Sequence, residues 1–162
     1  MALLDERLAG AVKPRGVVNA SISGETTAGG LARLPGLLAE HRPALVVLEL
    51  GANDGLRGLP LATVRANLVQ MLETIRAAKL RALLVGIELP VNYGPQYRDG
   101  LRSLYRDLAG EFNLPLVPFL LEGVALDPEL MQDDGLHPKA AGQARVLANV
   151  WSELEPALAK LR

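Results

Sequence analysis

Apolar residues along this chain follow two different rhythms, and the change from one to the other marks out its elements. Short stretches dense in aliphatic and β-branched residues read as strands: 16–22 (Gly-Val-Val-Asn-Ala-Ser-Ile), 44–50 (Ala-Leu-Val-Val-Leu-Glu-Leu), 81–87 (Arg-Ala-Leu-Leu-Val-Gly-Ile) and 114–119 (Leu-Pro-Leu-Val-Pro-Phe). The second is almost continuously apolar, as expected of a strand buried on both faces. Pro115 and Pro118 cannot donate to a ladder, which puts the fourth stretch at a sheet edge. Elsewhere the apolar positions recur every three or four residues, the spacing of one helix face. Leu61, Val64, Leu68, Leu72 and Ile75 form one such series, and Tyr97, Leu101, Leu104, Leu108 and Phe112 another. Val146, Leu147, Val150, Trp151, Leu154 and Leu158 predict a last helix after Pro138, and Leu3, Leu4, Leu8 and Val12 predict one at the start. Strands alternating with helices predict a parallel sheet inside a three-layer α/β/α sandwich. No repeat or linker divides residues 1–162, so one domain is expected.

Composition narrows the function classes. The chain has 162 residues, 49% of them apolar, and a formal net charge of −1. That length supports a substantial core. Lys and Arg alternate with acids instead of forming a stripe, so no nucleic-acid partner is expected. The chain has no cysteine, which excludes disulfides and thiolate metal sites. No apolar run is long enough for a membrane span, and the charged start Asp5-Glu6-Arg7 does not resemble a leader peptide. The expected compartment of the chain as written is the cytoplasm.

In open parallel sheets, functional side chains collect in the loops at the carboxyl ends of the strands. Three such loops carry chemistry here. Asp134-Gly135-Leu136-His137-Pro138 sets a carboxylate three residues before a histidine, the arrangement in which an acid orients an imidazole as a general base. A helix-start or surface histidine has the same local sequence, because proline at the next position is common there. Gly24 and Asn53, in Ser23-Gly24-Glu25 and Gly51-Ala52-Asn53-Asp54-Gly55, are candidates for the backbone and amide donors of an oxyanion hole. Each also has a structural reading, a positive-φ turn for Gly24 and an Asx turn for Asn53. Asp133 reads as a solvated neighbour of Asp134, and His41 as a cation at a helix end. Tyr93 and Tyr97 read as packing over the sheet edge, with the wall of an apolar pocket as the other possibility.

At these residues the sequence resembles the SGNH hydrolases, also called GDSL-type esterases and lipases. Asn19-Ala20-Ser21-Ile22-Ser23-Gly24 is similar to that family's glycine block, Gly51 to Gly55 to its asparagine block, and Asp134 to Pro138 to its acid-histidine block. The likeness is strongest to the bacterial multifunctional thioesterase, lysophospholipase and arylesterase branch. The resemblance implies a flavodoxin-like sheet, an acyl ester or thioester substrate, and no metal or organic cofactor. It assigns Asp134 and His137 to catalysis and Gly24 and Asn53 to the oxyanion hole. It also puts Asp54, Gly55, Leu56 and Tyr93 beside the acyl-binding groove. The family's Gly-Asp-Ser-Leu block, which supplies the nucleophile after the first strand, occurs nowhere in the sequence. The resemblance therefore implies a chain lacking its first strand and nucleophile, as a misplaced start would produce, and a lost leader would then make the full product periplasmic or secreted. Ser21, Ser23, Ser103 and Ser152 do not lie on a strand-to-helix turn of the kind that exposes a nucleophile. The alternative expectation is a non-catalytic acyl-binding or interaction module that keeps the same pocket. A nucleotide-binding role is disfavoured, since no glycine-rich phosphate loop follows a strand.

Overall fold

The computed structural model describes residues 2–10 and 15–161. Helix α1 spans Ala2–Ala9, and Val12 of the predicted first helix lies outside the described residues. Next come α2 (Thr27–His41), β1 (Leu45–Leu48), α3 (Ala52–Leu56), α4 (Leu61–Ala77) and β2 (Arg81–Val85). The chain closes with α5 (Pro95–Phe112), β3 (Leu116–Val117) and α6 (Gln143–Ala159), and single 3-10 turns cover Val91–Tyr93 and Ala140–Gly142.

The three strands form a parallel sheet in the order β1-β2-β3. Leu45 to Leu48 pair with Arg81 to Leu84, while Leu84 and Val85 pair with Leu116 and Val117. Alternation along the strands divides the core between two faces. Leu48, Ala82 and Leu84 pack with Leu34 of α2, with Val64, Leu68 and Met71 of α4, and with Leu101, Tyr105 and Leu108 of α5. Leu83, Val85 and Val117 face the other way, toward Leu154, Val150 and Leu158 of α6 and Leu4 of α1. Helices thus cover both faces, giving the expected parallel α/β architecture.

The fourth predicted strand shrinks to two residues because its flanking prolines remove donors. Pairing continues past it nevertheless: Leu84 N–H donates to Pro115 O at 3.1 Å, Gly86 N–H to Val117 O at 2.7 Å, and Leu120 N–H to Gly86 O at 3.0 Å.

The first predicted strand requires correction, for residues 16–22 form no regular element. A β-branched composition favours extended backbone, but a strand also needs a paired neighbour, and this segment lies across a cavity from the edge of β1 and pairs with no described strand. It is held by single contacts instead. Val17 N–H donates to Asp5 Oδ1 at 3.2 Å, and the Arg33 guanidinium donates to Ala20 O at 2.8 Å.

Candidate functional site

The acid-histidine pair sits on a short hairpin before α6. Met131 and Pro138 form an antiparallel bridge, Gln132 N–H donates to His137 O at 2.8 Å, and Gly135 turns the chain at φ 65°. Within this turn Asp134 has two tasks. Its Oδ1 accepts the N–H groups of Leu136 at 2.9 Å and His137 at 3.0 Å, while Oδ2 lies 2.7 Å from His137 Nδ1. The imidazole bond and the two backbone donors favour the ionised carboxylate, holding Asp134 down at about 2. With Nδ1–H donating to that carboxylate, Nε2 is the nitrogen left to accept a proton. The histidine side chain is 69% exposed, so its outer nitrogen is accessible.

The glycine and asparagine loops are tied to each other. Gly24 takes φ 76°, a conformation that favours glycine, and its carbonyl accepts the Arg57 guanidinium at 3.1 Å. One residue on, Glu25 O accepts Asn53 Nδ2 at 2.9 Å, and the Glu25 carboxylate binds Arg33 at 3.0 Å. The Asn53 amide therefore crosses to the other loop. Hydrogen bonds bring Gly24 and Asn53 together, and both loops contribute to one long cavity beside β1 through Glu25, Gly51, Ala52 and Asn53. Among the described residues, no hydrogen bond joins the Asp134–His137 hairpin to either loop.

Asp54 points inward, only 1% exposed. Its Oδ2 accepts Thr27 N–H at 2.8 Å and its Oδ1 accepts the Thr27 hydroxyl at 2.6 Å; Thr27 Oγ1 in turn accepts Asn67 Nδ2 at 2.9 Å. This network fastens α3 to the first residue of α2 and to α4. Gly55 is buried against Leu89 and Leu101, and Leu56 is half-buried against the main core.

Tyrosine hydroxyls fasten the same stretch from above: Tyr93 donates to Leu56 O at 2.9 Å, Tyr97 to Leu59 O at 2.6 Å and Tyr105 to Leu50 O at 2.6 Å. Burial pushes the Tyr105 phenol up, with the carboxylates of Glu49 and Asp54 acting in the same direction. Gly51, at φ 115°, must remain a glycine, since a methyl there would also collide with the Tyr105 hydroxyl. The roles of Thr27, Asn67 and Tyr105 escape sequence reading because their partners are distant in the chain.

Glu49, at the end of β1, opens on the same cavity. The residue is exposed to that cavity, yet desolvation by the surrounding groups pushes its carboxyl up to about 7. A raised folded-state value means that the native chain keeps a proton which the unfolded chain releases, so stability falls as pH rises from about 4.5 through about 7. Because Glu49 is exposed to solvent, screening weakens this effect, and Glu49→Gln is expected to raise the melting temperature only slightly at pH 8 and leave it unchanged at pH 4, as read by circular dichroism.

No group of three or more His, Cys, Asp or Glu that would hold a metal ion occurs among the described residues. No described helix is long and apolar enough to cross a membrane.

A parallel α/β domain carrying a carboxylate-oriented histidine, with two further polar loops tied together at its sheet, has the framework of an acyl-transfer hydrolase. Residues 1–145 match the GDSL-like lipase/acylhydrolase family, and the chain belongs to that family. It is 53% identical over 158 residues to esterase TesA of Pseudomonas aeruginosa, covering 98% of this chain and 79% of the relative. Thioesterase 1/protease 1/lysophospholipase L1 of Escherichia coli K12 is 47% identical over 140 residues, which cover 86% of this chain and 67% of that protein. The crystal structure of TesA superposes with a TM-score of 0.92 at 54% identity, covering 96% of this chain and 86% of the TesA chain. A psychrotrophic esterase EstA from Pseudoalteromonas, inhibited by monoethylphosphonate, gives a TM-score of 0.91 at 35% identity, with 98% of this chain and 86% of that one covered.

Proposed function

We propose that the chain supplies the general base and the oxyanion donors of an ester and thioester hydrolase, and that the serine served by His137 is none of its own four. The observation that carries this reading is the 2.7 Å contact between His137 Nδ1 and Asp134 Oδ2, made by a histidine side chain that is 69% exposed. The relatives named esterase and thioesterase 1 support the substrate class. In this reading His137 Nε2 takes the proton of a serine hydroxyl as its oxygen attacks the acyl carbonyl, and Asp134 stabilises the imidazolium. The Gly24 N–H and the second N–H of the Asn53 amide, whose first is bonded to Glu25 O, face the developing oxyanion. His137 then protonates the leaving alcohol or thiol and activates water for deacylation. Leu56 and Tyr93 border the acyl chain, while Asp54 and Gly55, buried beneath them, hold the segment in place through the Asp54 bonds to Thr27.

The four serines are poorly placed for attack. Ser103 and Ser152 lie within α5 and α6, where Ser152 Oγ donates to Asn149 O at 2.9 Å. Ser21 and Ser23 precede the Gly24 turn on an irregular segment.

A fusion placing an apolar strand that ends in Gly-Asp-Ser-Leu ahead of Met1 tests the reading. It is expected to hydrolyse p-nitrophenyl butyrate and short acyl-CoA and to be labelled at the added serine by a fluorophosphonate probe, while the unfused chain does neither. Labelling of Ser21 or Ser23 in the unfused chain would overturn the assignment of the nucleophile. A folded fusion that binds acyl ligand but remains inert and unlabelled would leave an acyl-binding module in place of the enzyme.

A further inference from the structure

A second cavity, of about 500 Å³, lies at the amino end of the strands, across the sheet from the glycine, asparagine and histidine loops. That volume falls in the range of small-molecule sites. Helices α4, α5 and α6 all end there, the chain enters β2 at Arg81, and it approaches β3 through Leu114 and Pro115. The floor is apolar, formed by the buried residues Ile75, Ala82 and Ala157. Phe112, Pro115 and Pro156 supply walls that are themselves rings.

Charge around the cavity is one-sided. Arg76, Arg81 and Lys160 line it against a single acid, Glu153. Among the described residues none of these three cations forms an ion pair. A cation near a helix C-terminus complements the macrodipole, which accounts for Arg76 in the last turn of α4 and for Lys160 at the cap of α6. It does not account for Arg81, the first residue of a strand, or for the apolar hollow that the three border. The Arg76 guanidinium also lies 5.2 Å from the centre of the Phe112 ring, so one cation and one aromatic wall are already in contact.

We infer that this cavity binds a small aromatic carboxylate. Its ring lies against Phe112, Pro115 and Pro156, and its carboxylate is held by Arg76 and Arg81, with Lys160 adding charge. Each guanidinium offers a planar fork of N–H donors that fits the two oxygens of a carboxylate. A flat ring gains contact area on such walls at little cost in conformational freedom. Glu153 opposes the anion. The inference is independent of the hydrolase reading, because the cavity shares no residue with the loops of Gly24, Asn53 and His137 and binding is measured without turnover.

The test is a titration of naphthoate into the isotope-labelled chain, followed by amide NMR. Naphthoate should shift the amides of Arg81, Phe112, Asn113, Leu114 and Ala157 saturably. Naphthylmethanol keeps the ring without the charge, acetate keeps the charge without the ring, and each should bind at least about tenfold more weakly. Arg76→Gln and Arg81→Gln should each weaken naphthoate about tenfold, and Glu153→Gln should strengthen it. Arg106→Gln, exposed on α5 outside the cavity, should change nothing. Arg76 and Arg81 are exposed, so their variants are expected to keep the fold, and the spectrum itself verifies this. Absence of saturable shifts, or shifts confined to residues beside β1, overturns the proposal. So does naphthoate binding indifferent to both arginine variants, or equal affinity for naphthylmethanol or acetate.

Discussion

Asp54→Ala is expected to destabilise the chain by about 2–4 kcal/mol, a large share of the stability of an ordinary domain. The carboxylate accepts both the backbone N–H and the hydroxyl of Thr27, and both residues are buried. Truncation to a methyl leaves two donors without partners, each costing about 1–3 kcal/mol in a site closed to water. Asp54→Asn preserves the shape but offers only one acceptor oxygen, and its amide would face a donor of Thr27. It should therefore recover only part of the loss. Urea unfolding checks this through the midpoint at unchanged m-value. Thr27→Ala should show strong coupling to Asp54→Ala in a double-mutant cycle, because either change alone breaks the same bonds. A carboxylate whose task was contact with substrate would give the opposite pattern, with unfolding unaffected and KM raised. In the serine-bearing fusion, a drop in kcat is also expected, since Asn53 is the adjacent residue on the helix that Asp54 fastens.

This inward turn of Asp54 shows where sequence reading ended. The spacing of Asp134 and His137 was legible because their contact is local: three residues apart, across a turn made by Gly135, the carboxylate meets both backbone N–H groups and Nδ1. Residues 81–87 were legible as a strand because burial on both faces leaves a nearly continuous apolar run, whereas 44–50 carries the same apolar run without that burial, Val47 standing 40% exposed on the unpaired edge of the sheet. The helix series from Leu61 to Ile75 was legible for a related reason, as one face meets one core. A polar residue in a loop has no such signature. Asp54 reads as a groove residue until Thr27, 27 residues earlier, is brought against it. Tyr105 fits its helical period as a core residue, while its hydroxyl reaches Leu50, 55 positions away. Residues 16–22 failed as a strand for the complementary reason, because local composition states what a segment favours and not whether the fold brings it within pairing distance of an edge.

The hairpin should carry the largest effect on chemistry. In the serine-bearing fusion, His137→Ala is expected to lower kcat for p-nitrophenyl butyrate by about 10³-fold or more, because serine then loses both its proton acceptor and the acid that releases the leaving group. Asp134→Asn should come close to that loss, for reasons visible in the turn. An asparagine at this position can present its amide N–H to His137 Nδ1, which favours the wrong tautomer and takes Nε2 out of service as a base. It also provides one carbonyl where two oxygens now serve three partners. The pH profile separates the two roles of Asp134. With its carboxyl held down at about 2, the acid stays ionised across the whole assay range, and any support it gives the turn is lost only as pH falls from about 3.8 through about 2. A fall in activity on mild acidification therefore does not come from the Asp134 carboxylate. If His137→Ala instead retains more than about a tenth of the parent kcat, His137 is not the base, and the assignment of this hairpin to proton transfer fails.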